Sequence, residues 1–283
     1  MRYFDLHCDT LTEVFKRKTT LSKSGCAVSF DKSKNMDFCQ MFAIFTPDEL
    51  QGKAATEYFI SVADYATNHA GMKNGFISVE NGNILAGDMK NLELLTRYGV
   101  RMFGLCWNGQ NELCGGSATY IGLSAFGRKV IGRLEDMGVA VDVSHTSDRA
   151  LYEVLDMAQK PIVASHSNAR AVCAHERNLE DGALKKIFST GGLCGINFYP
   201  LFLGDGDVFE RIYAHISHMF DLGGERSIAI GADFDGADMD SCLAAIDSVP
   251  NLYYSLKGRG LSDKTLDDIF YNNAAAFFGG GFS

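Results

Sequence analysis

Five residues able to bind a divalent metal, His7, Asp9, Glu80, His145 and His166, stand at the ends of four short apolar runs. Tyr3-Phe4-Asp5-Leu6 leads into His7-Cys8-Asp9, and Gly75-Phe76-Ile77-Ser78-Val79 stops at Glu80. Val139-Ala140-Val141-Asp142-Val143-Ser144 delivers His145, and Pro161-Ile162-Val163-Ala164-Ser165 delivers His166. Alternate side chains of a strand share a face, so His7 and Asp9 point at one ion while Cys8 points away. A lone ion leaves one or two of the five unexplained, whereas two zinc ions close together use them all if one carboxylate bridges. Oxygen-rich sites also take Mn or Mg, but three imidazoles favour zinc. Such a pair polarises a carbonyl and brings the pKa of a bridging water toward neutrality. The chain reads as a metal-dependent enzyme.

Asp233, in Ile230-Gly231-Ala232-Asp233-Phe234-Asp235-Gly236, ends another apolar run. A carboxylate there can take the water's proton and return it to a leaving amine. Asp235 shares the alternation and competes for the role. Arg177 follows His166 by eleven residues and is suited to hold a substrate carboxylate in a bidentate pair. Each residue also has a plainer reading. Asp9 is a favoured N-cap for a helix starting near Thr10. Glu80 and Asp233 precede turn-like sequence, and Arg177 suits a surface ion pair. What weighs against the plain readings is the recurrence of polar residues at matching strand ends. His69, His175, His215 and His218 lack that placement and read as solvated, although His215 and His218 share a helix face at i, i+3.

The elements that must position these residues alternate along the chain. Strands are expected near 3–9, 38–45, 75–80, 100–106, 139–144, 161–165, 192–197 and 228–232. Helical patterns fall near 48–70, 90–98, 124–137, 147–158, 180–190 and 207–223, with a last helix over 263–278 capped by Ser262. Short β runs alternating with helices argue a parallel sheet, and eight of them argue a (β/α)8 TIM barrel of one domain over residues 1–283. Polar residues at the strands' carboxyl ends then meet at the mouth, where such barrels keep their active sites. Leu113-Cys114-Gly115-Gly116-Ser117, in the long segment after the fourth strand, is expected as a mobile rim loop. It lacks the lysine and spacing of a phosphate cradle.

Composition narrows the class. The 283 residues are 46% hydrophobic with 30 Gly and 4 Pro, which suits a many-turn globular enzyme. Acidic residues exceed basic ones, 35 to 26, for a net charge of -9, and no basic stripe marks a nucleic-acid partner. No run approaches the roughly 20 apolar residues of a membrane span. Met1 enters a strand at once, with no secretory pattern, and the eight cysteines form no C-x-x-C pair, so a cytoplasmic protein with reduced thiols is expected.

At this point the chain resembles the renal (membrane) dipeptidase family of the metal-dependent amidohydrolase superfamily. The matching segments are Phe4-Asp5-Leu6-His7-Cys8-Asp9-Thr10, Ser78-Val79-Glu80-Asn81-Gly82, Asp142-Val143-Ser144-His145 and Ser165-His166-Ser167-Asn168-Ala169-Arg170. Glu176-Arg177-Asn178 and Gly231-Ala232-Asp233-Phe234-Asp235-Gly236 follow in the same order, so the likeness spans nearly the whole chain. It implies a binuclear zinc barrel that hydrolyses dipeptides, L,D- as well as L,L-, and a homodimer. It further implies that His7 and Asp9 hold one zinc, His145 and His166 the other, and that Glu80 bridges. Asp233 then transfers the proton and Arg177 clamps the dipeptide's carboxylate. One position departs. Where some members carry a histidine proposed to contact the scissile group, this chain has Trp107, in Leu105-Cys106-Trp107-Asn108-Gly109. Trp107 is thus a substrate-facing candidate whose plainer reading is packing at the mouth, and more of the oxygen stabilisation falls to the metals.

Two rivals remain at this level. Deaminases and cyclic-amide hydrolases of the same superfamily usually open with His-x-His and often add a carbamylated lysine, whereas this chain has His-x-Asp and a glutamate. A catalytically silent metal-binding homologue is the other, favoured slightly by Trp107 and disfavoured by Asp233.

Overall fold

The computed structural model describes residues 1–279. Its eight strands are β1 (Arg2–Cys8), β2 (Asp37–Phe45), β3 (Gly75–Glu80), β4 (Val100–Gly104), β5 (Ala140–Asp142), β6 (Val163–Ala164), β7 (Leu193–Ile196) and β8 (Ile228–Ile230). All pair in parallel and in chain order, and β8 closes on β1 through Asp5 and Ile230. This is the (β/α)8 barrel expected from the alternating pattern. The β2–β3 register runs unbroken from Gln40 opposite Gly75 to Phe45 opposite Glu80. Elsewhere the hydrogen-bonded part is short, down to two residues in β6.

Helices cover the outside: α1 (Thr10–Arg17), α2 (Lys53–Asn68), α3 (Glu93–Arg97), α4 (Ala125–Met137), α5 (Asp148–Met157), α6 (Asp181–Ser189), α7 (Pro200–Leu203), α8 (Val208–Asp221) and α9 (Val249–Gly258). Among the described residues none is long and apolar enough to cross a membrane. The expected last helix is instead three pieces: α10 (Asp263–Asp267), a π turn (Asp268–Asn272) and α11 (Asn273–Phe278). Its start is as expected, with Ser262 accepting from the Thr265 N–H. The widened turn redirects the chain so that Tyr271, Ala274 and Phe278 pack on the barrel's inner residues Phe4, Leu6, Met41, Met102 and Val163.

A larger apolar layer lies between strands and helices, with Phe42, Ile44, Ile77 and Val79 against Phe59 and Val62 of α2. Tyr3 and Cys8 both belong to this outer layer. Strict alternation would put residues five apart on opposite faces. A slip in the β1–β2 register between Asp5 and Cys8 absorbs the difference and turns His7 toward the mouth.

The segment 113–117 is not the mobile loop expected. Leu113 and Cys114 are buried in the core. The Gly116 N–H donates to Gly109 O at 2.7 Å and the Ser117 N–H to His145 O at 2.7 Å. A Cβ on Gly116 would collide with the Trp107 carbonyl, so only glycine permits this close winding. The segment is a packed support under the mouth.

Candidate metal centre

The proposed ligands are carried by four stretches of the barrel's carboxyl rim, of which only those after β5 and β6 are neighbours. His7 lies in β1 and Asp9 just beyond it; Glu80 ends β3; His145 and His166 follow β5 and β6. His145 has φ 70°, and Asp233 and Asp235 after β8 have φ 69° and 65°. Left-handed backbone costs a non-glycine residue of order 1–3 kcal/mol and persists where surroundings over-determine it. Here three such residues cluster at the mouth.

The side chains meet. His7 Nε2 is 3.3 Å from Asp9 Oδ2 and 3.5 Å from Glu80 Oε2. His145 Nε2 is 3.0 Å from Glu80 Oε1 and 2.9 Å from His166 Nε2. Glu80 therefore sets one oxygen toward His7 and the other toward His145. The rings of His7 and His166 also lie close, with centroids 3.8 Å apart. Asp9 occupies the N-cap position of α1 but makes no capping bond there, and its Oδ1 is buried with no hydrogen-bond partner.

The outer nitrogens of two imidazoles are already engaged. His145 Nδ1 lies 2.8 Å from Asn108 Oδ1, and His166 Nδ1 lies 2.7 Å from Ser165 Oγ. An amide oxygen accepts only, so His145 carries its proton on Nδ1 and presents a lone pair at Nε2. Burial holds both imidazoles well below the usual histidine range, with Arg177 and His7 adding to it, so both are neutral. Where Ser165 Oγ, which donates to Asp142 Oδ2, accepts from His166 Nδ1, the two Nε2 lone pairs face each other across 2.9 Å and repel unless a cation lies between them. The carboxylates carry the opposite strain. Burial, then the charge of Asp9, pushes Glu80 up to about 8 against the pull of His7. Burial opposes protonation of His7, but Glu80 and Asp9 hold it well above its ordinary value. An orphaned carboxylate oxygen, converging lone pairs and crowded buried carboxylates are what divalent cations relieve. The donor set fits a metal.

A cavity of about 490 Å³ opens above these atoms, lined among others by Trp107, Arg177, Tyr199, Phe202, Asp233 and Lys16. Asp233 Oδ1 is 3.8 Å from His7 Nε2, and burial pushes its carboxyl up to about 6. Asp235 is spoken for. Its Oδ2 accepts the Thr10 hydroxyl at 2.5 Å and its Oδ1 the Ala27 N–H at 2.8 Å. Arg177 sits on the loop between β6 and α6 and is 5% exposed. Its Nη2 donates to His166 O at 3.4 Å, while Nε is buried with no partner. Trp107 packs edge-on against Phe45, with centroids 5.0 Å apart and 6.2 Å from the His145 ring.

Sequence reasoning passed over four contributors. Asn108 and Ser165 contact the outer nitrogens of His145 and His166. Asn197, at the end of β7, donates to Asp233 Oδ2 at 3.0 Å. The rule that a polar residue ends an apolar run picks Asn197 out of Leu193-Cys194-Gly195-Ile196-Asn197 equally well. The fourth, Phe45, closes β2 without a polar flag. One expectation is corrected: His215 is fully buried, accepting the Ala169 N–H at Nδ1 and bonding Leu203 O through Nε2. It faces the core side of α8, where both ring nitrogens find partners. His218 is half-buried beside Asp181 at 2.8 Å.

Residues 59–278 match the family model described as membrane dipeptidase, peptidase family M19. An uncharacterized dipeptidase of Schizosaccharomyces pombe is 33% identical over 219 residues, covering 74% of this chain and 53% of that protein. The chain spans about half the length of the curated dipeptidases it matches. Among solved structures, a family M19 metallopeptidase, dipeptidase AC, superposes with a TM-score of 0.92 at 22% identity, covering 100% of this chain and 99% of that one. A Rhodobacter sphaeroides metallopeptidase liganded with a phosphinate mimic of L-Ala-D-Ala gives a TM-score of 0.90 at 21% identity, with 99% of each chain covered. These structures share the fold, and the extent of the family match is decisive: this chain belongs to the membrane dipeptidase family, peptidase family M19.

Proposed function

We propose that this chain is a binuclear zinc dipeptidase, with L,L- and L,D-dipeptides as its substrate class. His7 and Asp9 would hold one ion and His145 and His166 the other, with Glu80 between the two pairs. The observation that carries the reading is the neighbourhood of two unmet demands in one cavity. Converging imidazole lone pairs call for a cation, and the partnerless Nε of buried Arg177 calls for an anion. A molecule bearing a carboxylate beside a hydrolysable amide answers both. Membership of the family, and the dipeptide mimic bound by the Rhodobacter sphaeroides protein, support the same class.

When bound, such ions polarise a carbonyl and acidify a water. The chain's own residues do the rest. Arg177 takes the substrate's terminal carboxylate through charge-assisted N–H bonds, which fixes the register of the scissile amide. Asp233, raised to about 6 by burial, accepts the proton lost by the attacking water and delivers it to the nitrogen of the departing amine. Trp107 and Phe45 form an aromatic wall beside Glu80 and His145 and keep bulk water from that side of the cavity. Trp107 offers one N–H donor to the substrate and no base.

A screen of L,L- and L,D-dipeptides against zinc-loaded protein, with metal content measured in parallel, tests the reading. Hydantoins and nucleobases serve as the contrasting substrates. Hydrolysis of dipeptides at two zinc ions per chain is expected. Turnover confined to cyclic amides or nucleobases, or none at full zinc loading, overturns it.

A further inference from the structure

His145 and His166 are anchored differently. The neutral amide of Asn108 holds His145, but behind His166 lies a chain ending in a buried charge. Ser165 Oγ is 2.7 Å from His166 Nδ1 and donates to Asp142 Oδ2 at 2.5 Å. A hydroxyl has a single proton, so with that proton on Asp142 the Ser165 oxygen faces His166 as an acceptor. His166 must then carry its proton on Nδ1 and leave Nε2 bare. Asp142 is fixed in turn, because its Oδ1 accepts the N–H groups of both Ser144 and Ser165 at 2.9 Å. Ser144 and Ser165 immediately precede the two histidines. The Ser165 backbone is itself pinned: a Cβ on Gly195 or Gly231 would strike its carbonyl oxygen.

We propose that Asp142 and Ser165 are positioning residues that set the tautomer and direction of His166, so that its Nε2 lone pair is presented ready-made to the metal. The proposal rests on the metal reading above, but the tautomer it specifies exists in the metal-free protein too. Outer partners of ligating histidines typically alter metal affinity by about 10- to 100-fold.

Two variants separate this from a merely structural role. Ser165→Ala removes the acceptor. Asp142→Asn reverses the chain. The two backbone N–H groups keep the amide oxygen at the Oδ1 place, so the amide NH2 donates to Ser165. The hydroxyl proton then points at His166 Nδ1 and forces the proton onto Nε2. The measurement is the 15N spectrum of imidazole-labelled, metal-free protein, with His166 assigned by the resonance lost in His166→Gln. Wild type should be protonated on Nδ1 and Asp142→Asn on Nε2. Zinc titration against a chromophoric chelator should show affinity at one site falling about 10- to 100-fold in Ser165→Ala and further in Asp142→Asn. Should Asp142→Asn not fold, Ser165→Ala decides alone. An unchanged Nδ1 tautomer in Asp142→Asn, or zinc affinity within twofold of wild type in Ser165→Ala, overturns the relay. Wild-type protein that takes up no zinc would overturn the metal reading instead, and the spectrum would still judge the relay.

Discussion

Asn197 holds Asp233 by one oxygen only: its Nδ2 donates to Oδ2 at 3.0 Å, leaving Oδ1 toward His7. The carboxylate is thereby oriented and half free. Burial has pushed it up to about 6, a value suited to the proposed acceptance and return of a proton near neutral pH. Asp233→Asn keeps the shape and one hydrogen bond but cannot take the proton. Its kcat should fall by ~10²-fold or more, with metal content unchanged by atomic absorption. A variant that retains full turnover removes Asp233 from the reaction.

Metal removal should cost stability as well as activity. Ligands that repel one another in the empty site favour the folded state only when cations are bound. At free zinc about 1,000 times its dissociation constant, a site contributes about 4 kcal/mol. For a chain of this size that shifts Tm on the order of 10 °C. Calorimetry of chelated and zinc-repleted protein should show that loss and its full recovery. An identical Tm in both states would mean the cluster holds no tightly bound ion.

How far these residues were readable depends on how local their signals are. The strand-end positions of His7, Glu80, His145 and His166 could be read because each ends an apolar run within a few residues. Alternation alone treats Asp233 and Asp235 alike, and only the family resemblance singles out Asp233. The structural difference comes from Thr10 and Ala27, more than 200 residues away, which occupy the Asp235 carboxylate. Helix α1 shows in the sequence only as a start near Thr10 that Asp9 could cap, because Thr10, Thr12 and Val14 are weak helix formers; burial of Leu11 and Val14 holds it. Helix α9 hides behind Pro250, which reads as a breaker but suits a first turn. The buried state of His215 depends on backbone groups of two distant loops, and no local pattern carries it.

Arg177, the proposed carboxylate clamp, carries a cost to the free protein. Its guanidinium is buried, and burial lowers its pKa against the pull of Asp233 and Glu80. Arg177→Met removes the charge and much of the carboxylate's binding energy. Hydrogen bonds to charged groups contribute about 1.5–3 kcal/mol, so kcat/KM for dipeptides should fall roughly 10- to 100-fold. Discrimination between a dipeptide and its C-terminal amide should collapse in the same variant. Removing a buried charge with few partners should leave Tm level or raised. Undiminished preference for the free carboxylate would place the clamp elsewhere.

His215 makes a prediction about acid stability that is independent of the metal. Its Nδ1 accepts the Ala169 N–H at 3.2 Å, so only the neutral ring fits. Burial lowers it to about 4 against the raising effect of Leu203 O, with Arg211 and His218 adding to the lowering. The unfolded chain takes up this proton near pH 6.5 and the folded chain only near 4, so stability falls as pH drops through that window and levels off below it. The shift corresponds to about 3 kcal/mol. His215→Gln keeps an acceptor and a donor but does not titrate. Urea unfolding of both proteins at pH 7 and pH 4, with chelator present, isolates this group because the other titrations are common to both. The wild type should lose more stability than the variant over that interval, by up to about 3 kcal/mol. Equal losses would show that the ring accepts its proton in the fold and that the Ala169 bond is not what keeps it neutral.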